Sequence, residues 1–361
     1  MSNNRFGGLS DSFVTLQNAI VFPHAQDNTC GVLDSDGGFC DFSRGVMGPR
    51  RAALEPQPLD PGTAPVLEGC YLYGGWLRAH FGHFLLESTT RFWALDELAD
   101  RVDGIIFTQF RSGGVRQARK RYAPFLNILS GGKPLRILRD PTRVENLIVA
   151  DPGFGHHSRI TGSPRYRQYT REQVAQAVNP EGPERLYVSR SALADNRGGI
   201  FGETVIEEIM RANGYAIFHP QDHSIPDQLA RYRAAGELVC LDGSALHLAA
   251  YALQPGARVG MILRRHSGLL DGLAKQLELF ADAKVHVLDA LRASWVDESA
   301  KRVDFRSIGE LDFAKLRALL VENEFIADVP AADPLQEPDI QNILQSMNRG
   351  EMRRVPVATT P

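Results

Sequence analysis

Short apolar runs alternate along this chain with segments whose apolar residues fall three and four positions apart. The alternation is clearest from residue 185 onward. Leu186-Tyr187-Val188 reads as a strand ending on Ser189-Arg190, and Gly202-Glu203 then leads a helix whose Val205, Ile206, Ile209 and Met210 share one face. Asn213-Gly214 stops that helix, and Tyr215–Phe218 is the next strand. Ser224 is placed to cap a further helix with Pro226 in its first turn, where a missing N–H does little harm. Leu238–Leu241 is a third strand, and it runs into the small-residue turn Asp242-Gly243-Ser244-Ala245-Leu246-His247, which opens a helix to about Tyr251. After Pro255-Gly256 come a strand at Val259–Leu263, a helix near Asp271–Phe280, a strand at Val285–Leu288 and a helix near Leu311–Glu322. Regular alternation of this kind predicts a parallel, doubly wound sheet with ligands at the carboxyl ends of its strands.

The first half repeats the theme less regularly. Phe13–Leu16 and Ala19–Phe22 read as hairpin-like β structure preceding the first domain, and residues 47–66, rich in Pro, Gly and Ala, as a loop. Gly104–Phe107, Leu135–Leu138 and Leu147–Ala150 read as strands, with helical material near 84–100 and 113–129, enough for a Rossmann-like domain. Residues 158–184 read as the link between domains, with a helix at about Thr170–Ala177. The expected division is residues 1–165, residues 166–327, and a tail of residues 328–361 that is mobile at its end and carries a short docked helix at Ile340–Met347.

Composition narrows the class. The 361 residues are 43% hydrophobic and 23% charged, which suits two folded domains with real cores and excludes disorder for most of the chain. A net charge of −3 gives no general attraction to nucleic acid. No apolar run approaches a membrane span, and the first residues lack a signal-peptide core, so the expected location is cytoplasmic, with peripheral contact to the inner membrane at most. Cys30, Cys40, Cys70 and Cys240 show no metal-type pairing, and Cys240 reads as a small core residue.

Two polar clusters carry candidate chemistry. In the second half, Arg190 and Arg197 suit a diphosphate, because a guanidinium fork donates paired hydrogen bonds to phosphate oxygens and does not titrate. The Gly243-Ser244 turn would add backbone N–H groups. In the first half, a helix from about His80 puts His80, His83, Phe84 and Glu87 on one face, with His83 and Glu87 one turn apart. A carboxylate there could orient the imidazole and raise its basicity for work as a general base. The other readings are a structural hydrogen bond, or zinc on His80, His83 and Glu87, although that order matches no standard zinc-helix motif. The loop Asp151–His157 offers His156 or His157 to a ligand, and Arg265 or His266 could close over one from the end of the fourth strand. Asp34-Ser35-Asp36 has the spacing of a metal–diphosphate site, but the following Gly-Gly says turn. Arg116, Arg119, Lys120 and Arg121 read first as a solvated helix face and second as a contact for anionic lipid or a lipid-diphosphate acceptor.

Tyr187-Val188-Ser189-Arg190, Arg197, Gly202-Glu203, Asp227-Gln228 and Asp242-Gly243-Ser244-Ala245-Leu246 together resemble the core of glycosyltransferase family 61. The resemblance covers residues 70–95 and 185–263 well. It implies a GT-B fold, two Rossmann-like domains facing across a cleft, and an inverting transfer without bound metal or other cofactor. The partners it implies are a nucleotide-sugar donor and a saccharide or lipid-linked acceptor, in surface or capsular polysaccharide biosynthesis. Within it, Ser189, Arg190, Arg197 and Ser244 would contact the donor diphosphate, with Gly243, Ala245, Leu246 and His247 beside them and Glu203 as a ribose or arginine partner. The family's Asn-x-x-His-x-x-x-Asp/Glu motif lands on His80, His83 and Glu87, which leaves His83 or Glu87 as base and His80 and His156 on the acceptor side. This chain departs from the family in reading Asp242-Gly243 for His-Gly and Gly202-Glu203 for Asn-Glu. A carboxylate would repel a diphosphate, so Asp242 is expected to bond a ribose or sugar hydroxyl instead. The alternative is a non-catalytic nucleotide-sugar-binding or scaffold subunit, which would keep residues 189–247 and not need 80–87. No strand runs into a Gly-x-Gly-x-x-Gly turn and no Walker-type loop is present, which disfavours dinucleotide and NTPase chemistry.

Overall fold

The computed structural model describes residues 9–47, 51–110, 115–194, 197–266, 270–327, 337–347 and 351–357. It is a mixed α/β chain in two compact units, Met1–Val178 and Asn179–Pro361.

The first unit is built on strands β1 (Phe13–Phe22), β2 (Gly31–Leu33), β3 (Val66–Leu77), β4 (Gly104–Gln109), β5 (Leu135–Leu138) and β6 (Thr142–Ala150). Their order across the sheet is β2-β1-β6-β3-β4-β5. The last four run parallel. The early β structure expected to precede this domain is part of its sheet instead: β1 pairs antiparallel with β6 from Phe13 opposite Ala150 to Val21 opposite Thr142. Periodicity shows that a segment is a strand but not its partner, which is why a pairing this distant in sequence escapes a local reading.

Helices α1 (Phe81–Glu87), α2 (Val115–Ser130) and α3 (Pro164–Ala177) complete the unit. Ser163 caps α3 by accepting from the Tyr166 N–H, with Pro164 in the first turn. Tyr169 Oη donates to the Leu129 carbonyl at 2.5 Å and fixes α3 to α2. Most of the stretch expected as a linker, residues 158–178, is therefore integral to the first unit, and a boundary at 165/166 falls inside α3. Few aliphatics occur there because α3 is anchored by the buried tyrosines Tyr166 and Tyr169. Arg116, Arg119, Lys120 and Arg121 are all exposed on α2.

The second unit contains five parallel strands, β7 (Arg185–Val188), β8 (Ala216–Phe218), β9 (Glu237–Leu241), β10 (Arg258–Ile262) and β11 (Lys284–Leu288), in the order β8-β7-β9-β10-β11. Helix α4 (Glu203–Ala212) places Ile206 and Met210 on a core that includes Tyr187, Val239, Leu241 and Ile262. Gly202 precedes it at φ 69°, a left-handed conformation that glycine adopts without a Cβ clash. Ser224 and Asp227 form a reciprocal capping box on α5 (Ile225–Ala234), and α6 (Ser244–Ala249) is one short helix after β9. Cys240 is buried in β9, as a core residue should be.

A second sheet was not anticipated. Its order is Gly199–Ile200, Ile308–Leu311, Leu291–Asp297, Met352–Pro356. The last of these lies in the segment read as a tail, where it pairs with Leu291–Asp297 from Ala293 opposite Pro356 to Asp297 opposite Met352. The join is polar as well: Glu310 accepts from Trp295 Nε1 at 2.9 Å and from both Arg354 Nε, at 2.8 Å, and Arg354 Nη2, at 2.6 Å. The docked helix of the tail spans Glu337–Ser346, and the end expected to be mobile, residues 358–361, lies outside the described residues.

Candidate active site

In the first unit the sheet dictates which side chains meet. Strands β3 and β6 are parallel neighbours, so their carboxyl ends lie side by side. The chain leaving β3 turns through Arg78 to His80 and enters α1, whose last residue is Glu87. The chain leaving β6 becomes the loop Asp151–His157. Phe154 of that loop is buried and stacks on Tyr166 of α3, with ring centroids 5.4 Å apart, which fixes the loop against α3.

Glu87 is the centre of the result. Its Oε1 accepts from His83 Nδ1 at 2.5 Å and from His156 Nε2 at 2.8 Å, while Arg78 Nε lies 3.1 Å from Oε2. Burial would raise this carboxyl. The His156 and His83 hydrogen bonds and the Arg78 charge overcome that and hold it down at about 2. An ionised carboxylate only accepts, so both imidazoles donate to it, and a neutral His83 bound in this way presents Nε2 with its lone pair. The Glu87 side chain is 9% exposed and that of His83 43%, so the carboxylate is an internal support and the imidazole faces solvent. His80 is exposed at the N-terminal cap of α1, its ring edge-on to His83 at 5.3 Å. His83, Glu87 and His156 also offer three potential metal-ligand atoms within 4.8 Å of one another. The sequence-level zinc set named His80 in place of His156, because no local pattern joins residue 156 to the helix. Arg78, on the same carboxylate, went unread for a similar reason: it lies before the helix begins.

In the second unit, β7 and β9 are adjacent and parallel, and their ends bring Ser189-Arg190 against Asp242-Gly243. A Cβ on Gly243 would lie 3.0 Å from Arg190 Nη1. Arg190 Nη2 donates to the carbonyls of Arg197 at 2.7 Å and Gly198 at 3.1 Å. Among the described residues no carboxylate oxygen lies within 4.0 Å of the Arg190 guanidinium, and its Nε is buried without a hydrogen-bond partner.

The carboxylates around it serve other groups. Glu203 is buried and accepts the Arg190 backbone N–H at 2.8 Å and the Tyr187 hydroxyl at 3.2 Å. Burial, against those hydrogen bonds and the Arg190 charge, pushes it up to about 7. Glu207, one turn along α4, accepts from Ser189 at 2.6 Å and Ser191 at 2.5 Å. It escaped the sequence reading, although a glutamate at i+4 from Glu203 on the apolar side of a helix is an available signal.

Asp242 is not free for a sugar or ribose hydroxyl. It is 1% exposed, accepts the Arg264 backbone N–H at 2.9 Å and lies 3.4 Å from the Nε of both Arg264 and Arg265. Arg264 is itself buried on the Phe305 and Ser307 carbonyls, and burial lowers it to about 9. Ser244 and Ala245 are half-buried at the start of α6, and Leu246 is core. His247 turns to Gln276, with Nδ1 2.5 Å from its Oε1. The Arg197 side chain is exposed, and its carbonyl is what Arg190 uses. His266 pairs with Asp289 at 2.9 Å on the surface. Asp34 Oδ1 accepts the N–H groups of Asp36 and Gly38, so its side chain shapes a turn.

The Glycosyltransferase 61 family model matches residues 81–260, which runs from the helix bearing His83 and Glu87 to the strand after the Gly243 turn. The chain belongs to glycosyltransferase family 61. It is a glycosyltransferase, and membership in the family implies a nucleotide-sugar donor and a glycan acceptor. No curated protein matches the chain. Among the described residues no helix is long and apolar enough to cross a membrane.

Proposed function

We propose that this family 61 member is an inverting glycosyltransferase in which the second unit holds the nucleotide-sugar diphosphate and the first supplies the base. The observation that carries the donor half is Arg190, a guanidinium with no carboxylate partner among the described residues, beside Gly243-Ser244. Arg190, with Arg197, Arg265 and Ser244 around it, provides the charge and hydrogen bonds that a departing diphosphate needs as the glycosidic bond breaks. Fixed guanidinium groups can carry that charge without a bound metal.

For the base, the geometry favours His83 over Glu87. Glu87 is held ionised, with Oε1 bound by both imidazoles and Oε2 paired with Arg78, whereas His83 is exposed with Nε2 unused, its tautomer set by the carboxylate on Nδ1. In the proposed step Nε2 takes the proton from the acceptor hydroxyl as that oxygen attacks the anomeric carbon from the face opposite the leaving diphosphate, inverting the centre. A GT-B arrangement of the units, a cytoplasmic location and a role in surface polysaccharide synthesis belong to the same proposal.

Screening the purified chain against a panel of nucleotide sugars tests it. His83→Ala and Glu87→Gln should each lower kcat by roughly 100-fold or more while donor affinity is kept. Unchanged turnover in both would remove the base assignment and favour a non-catalytic subunit.

A further inference from the structure

A recess opens beside Glu87 in the first unit, and its wall includes Arg91, Arg159 and His156. Arg91 is 4% exposed. Its Nε donates to the Ala150 carbonyl at 3.0 Å and its Nη2 to the Phe42 carbonyl at 2.7 Å, while among the described residues no hydrogen bond uses Nη1. Nη1 sits over Gly75, 2.7 Å from where a Cβ would be. Gly75 has φ +85°, so the absence of a side chain both permits that backbone and leaves the guanidinium room. The Arg159 side chain makes no hydrogen bond or ion pair among the described residues. Neither guanidinium has a carboxylate oxygen within 4.0 Å among the described residues. The buried carboxylate whose charge reaches both, Asp151, accepts from Ser10 through Oδ2. Glu87, on the same wall, is occupied by Arg78, His83 and His156.

Among the described residues, two cations on one wall, one of them buried, are thus held without a paired carboxylate, and burying an ion without a partner is costly. Burial lowers the proton affinity of both, and at Arg159 the Arg91 charge lowers it further. A structural clamp explains the carbonyl contacts of Arg91 but not Arg159, which clamps nothing.

We infer that the recess binds an anionic group of the acceptor, a carboxylate or phosphate seated between Arg91 and Arg159, next to the His83–Glu87 pair. The inference rests on the glycosyl-transfer reading for its word acceptor, but the anion site stands or falls separately. A sugar acid within the glycan and the phosphate of a lipid-linked saccharide are the two sources of that chemistry.

Calorimetric titration of the full chain with glucuronate, with glycerol phosphate and with glucose tests it. Saturable binding of at least one anion, with none of glucose, is expected, and which anion binds identifies the source. Arg159→Ala should weaken that anion roughly tenfold or more without changing thermal stability. Arg91→Lys, which keeps the charge, should weaken it less. Arg190→Ala should leave it alone while weakening a nucleoside diphosphate. Absence of anion binding, equal binding of glucose, or binding indifferent to Arg159→Ala would overturn the site. So would a loss of nucleoside diphosphate binding in Arg159→Ala, which would assign the pair to the donor. Failure of the nucleoside diphosphate to depend on Arg190, with anion binding intact, would instead count against the donor assignment alone.

Discussion

The guanidinium of Arg190 and the turn at Gly243 are in contact, with Nη1 3.0 Å from the site of a β-carbon on residue 243. The backbone there is extended, φ 169°, so any residue can adopt it, and only the neighbouring guanidinium limits what fits. Gly243→Ala should therefore fold normally but push the Arg190 head aside. Affinity for a nucleoside diphosphate should fall roughly tenfold, about the worth of one charge-assisted hydrogen bond. Calorimetric titration checks this, and an unchanged Kd would mean that Arg190 does not meet the diphosphate there.

Glu203 gives the second unit a pH-dependent weakness. Its carboxyl titrates near 4.5 when unperturbed and is pushed up to about 7 in the fold. Between those values the folded chain binds more protons than the unfolded one, so stability falls as pH rises through the window. Glu203→Gln keeps an oxygen to accept from the Arg190 N–H and the Tyr187 hydroxyl. The variant should match wild type near about pH 4.5 and melt higher at about pH 8. Thermal melts at both values decide, and parallel curves would show that Glu203 is ionised in the fold.

Glu87 works in the opposite direction. Held at about 2, it contributes stability that is complete above the ordinary carboxyl value of 4.5 and is lost as pH falls toward 2. Glu87→Gln should melt below wild type near neutral pH, with the gap closing as the solution is acidified. A gap that is constant with pH would trace the loss to packing rather than charge.

Turnover should persist in excess chelator. His83, Glu87 and His156 are the one grouping among the described residues with metal-ligand spacing, but Arg78 already neutralises that carboxylate. Activity that disappears in chelator and returns with a divalent ion would make this cluster a metal site and displace His83 as base. The same assay on His156→Ala separates that outcome from a metal held elsewhere.

Much of the second unit could be read locally, since each strand ends in its own polar turn and the apolar face of α4 announces itself through Ile206 and Met210. Its second sheet could not, because Met352–Pro356 carries two arginines and closes with a proline, and it becomes a strand only through pairing with Leu291–Asp297. In the candidate site, His83 and Glu87 were visible as one turn of a helix. Their tie to His156 depends on which strands are neighbours, a property of the whole sheet. Arg91 and Arg159 were missed because nothing in sequence distinguishes an arginine short of partners from one on a surface.

The placement of β1 also bears on how the chain is made. Residues 13–22 are synthesised more than a hundred positions before residues 142–150, their partner on one side. Until that distant segment has left the ribosome, an apolar strand waits with an open edge, so assembly of the first unit is set by a long-range closure late in its own translation. A pause or truncation before residue 150 would leave that edge available to other chains, and the nascent protein would need shielding during that interval.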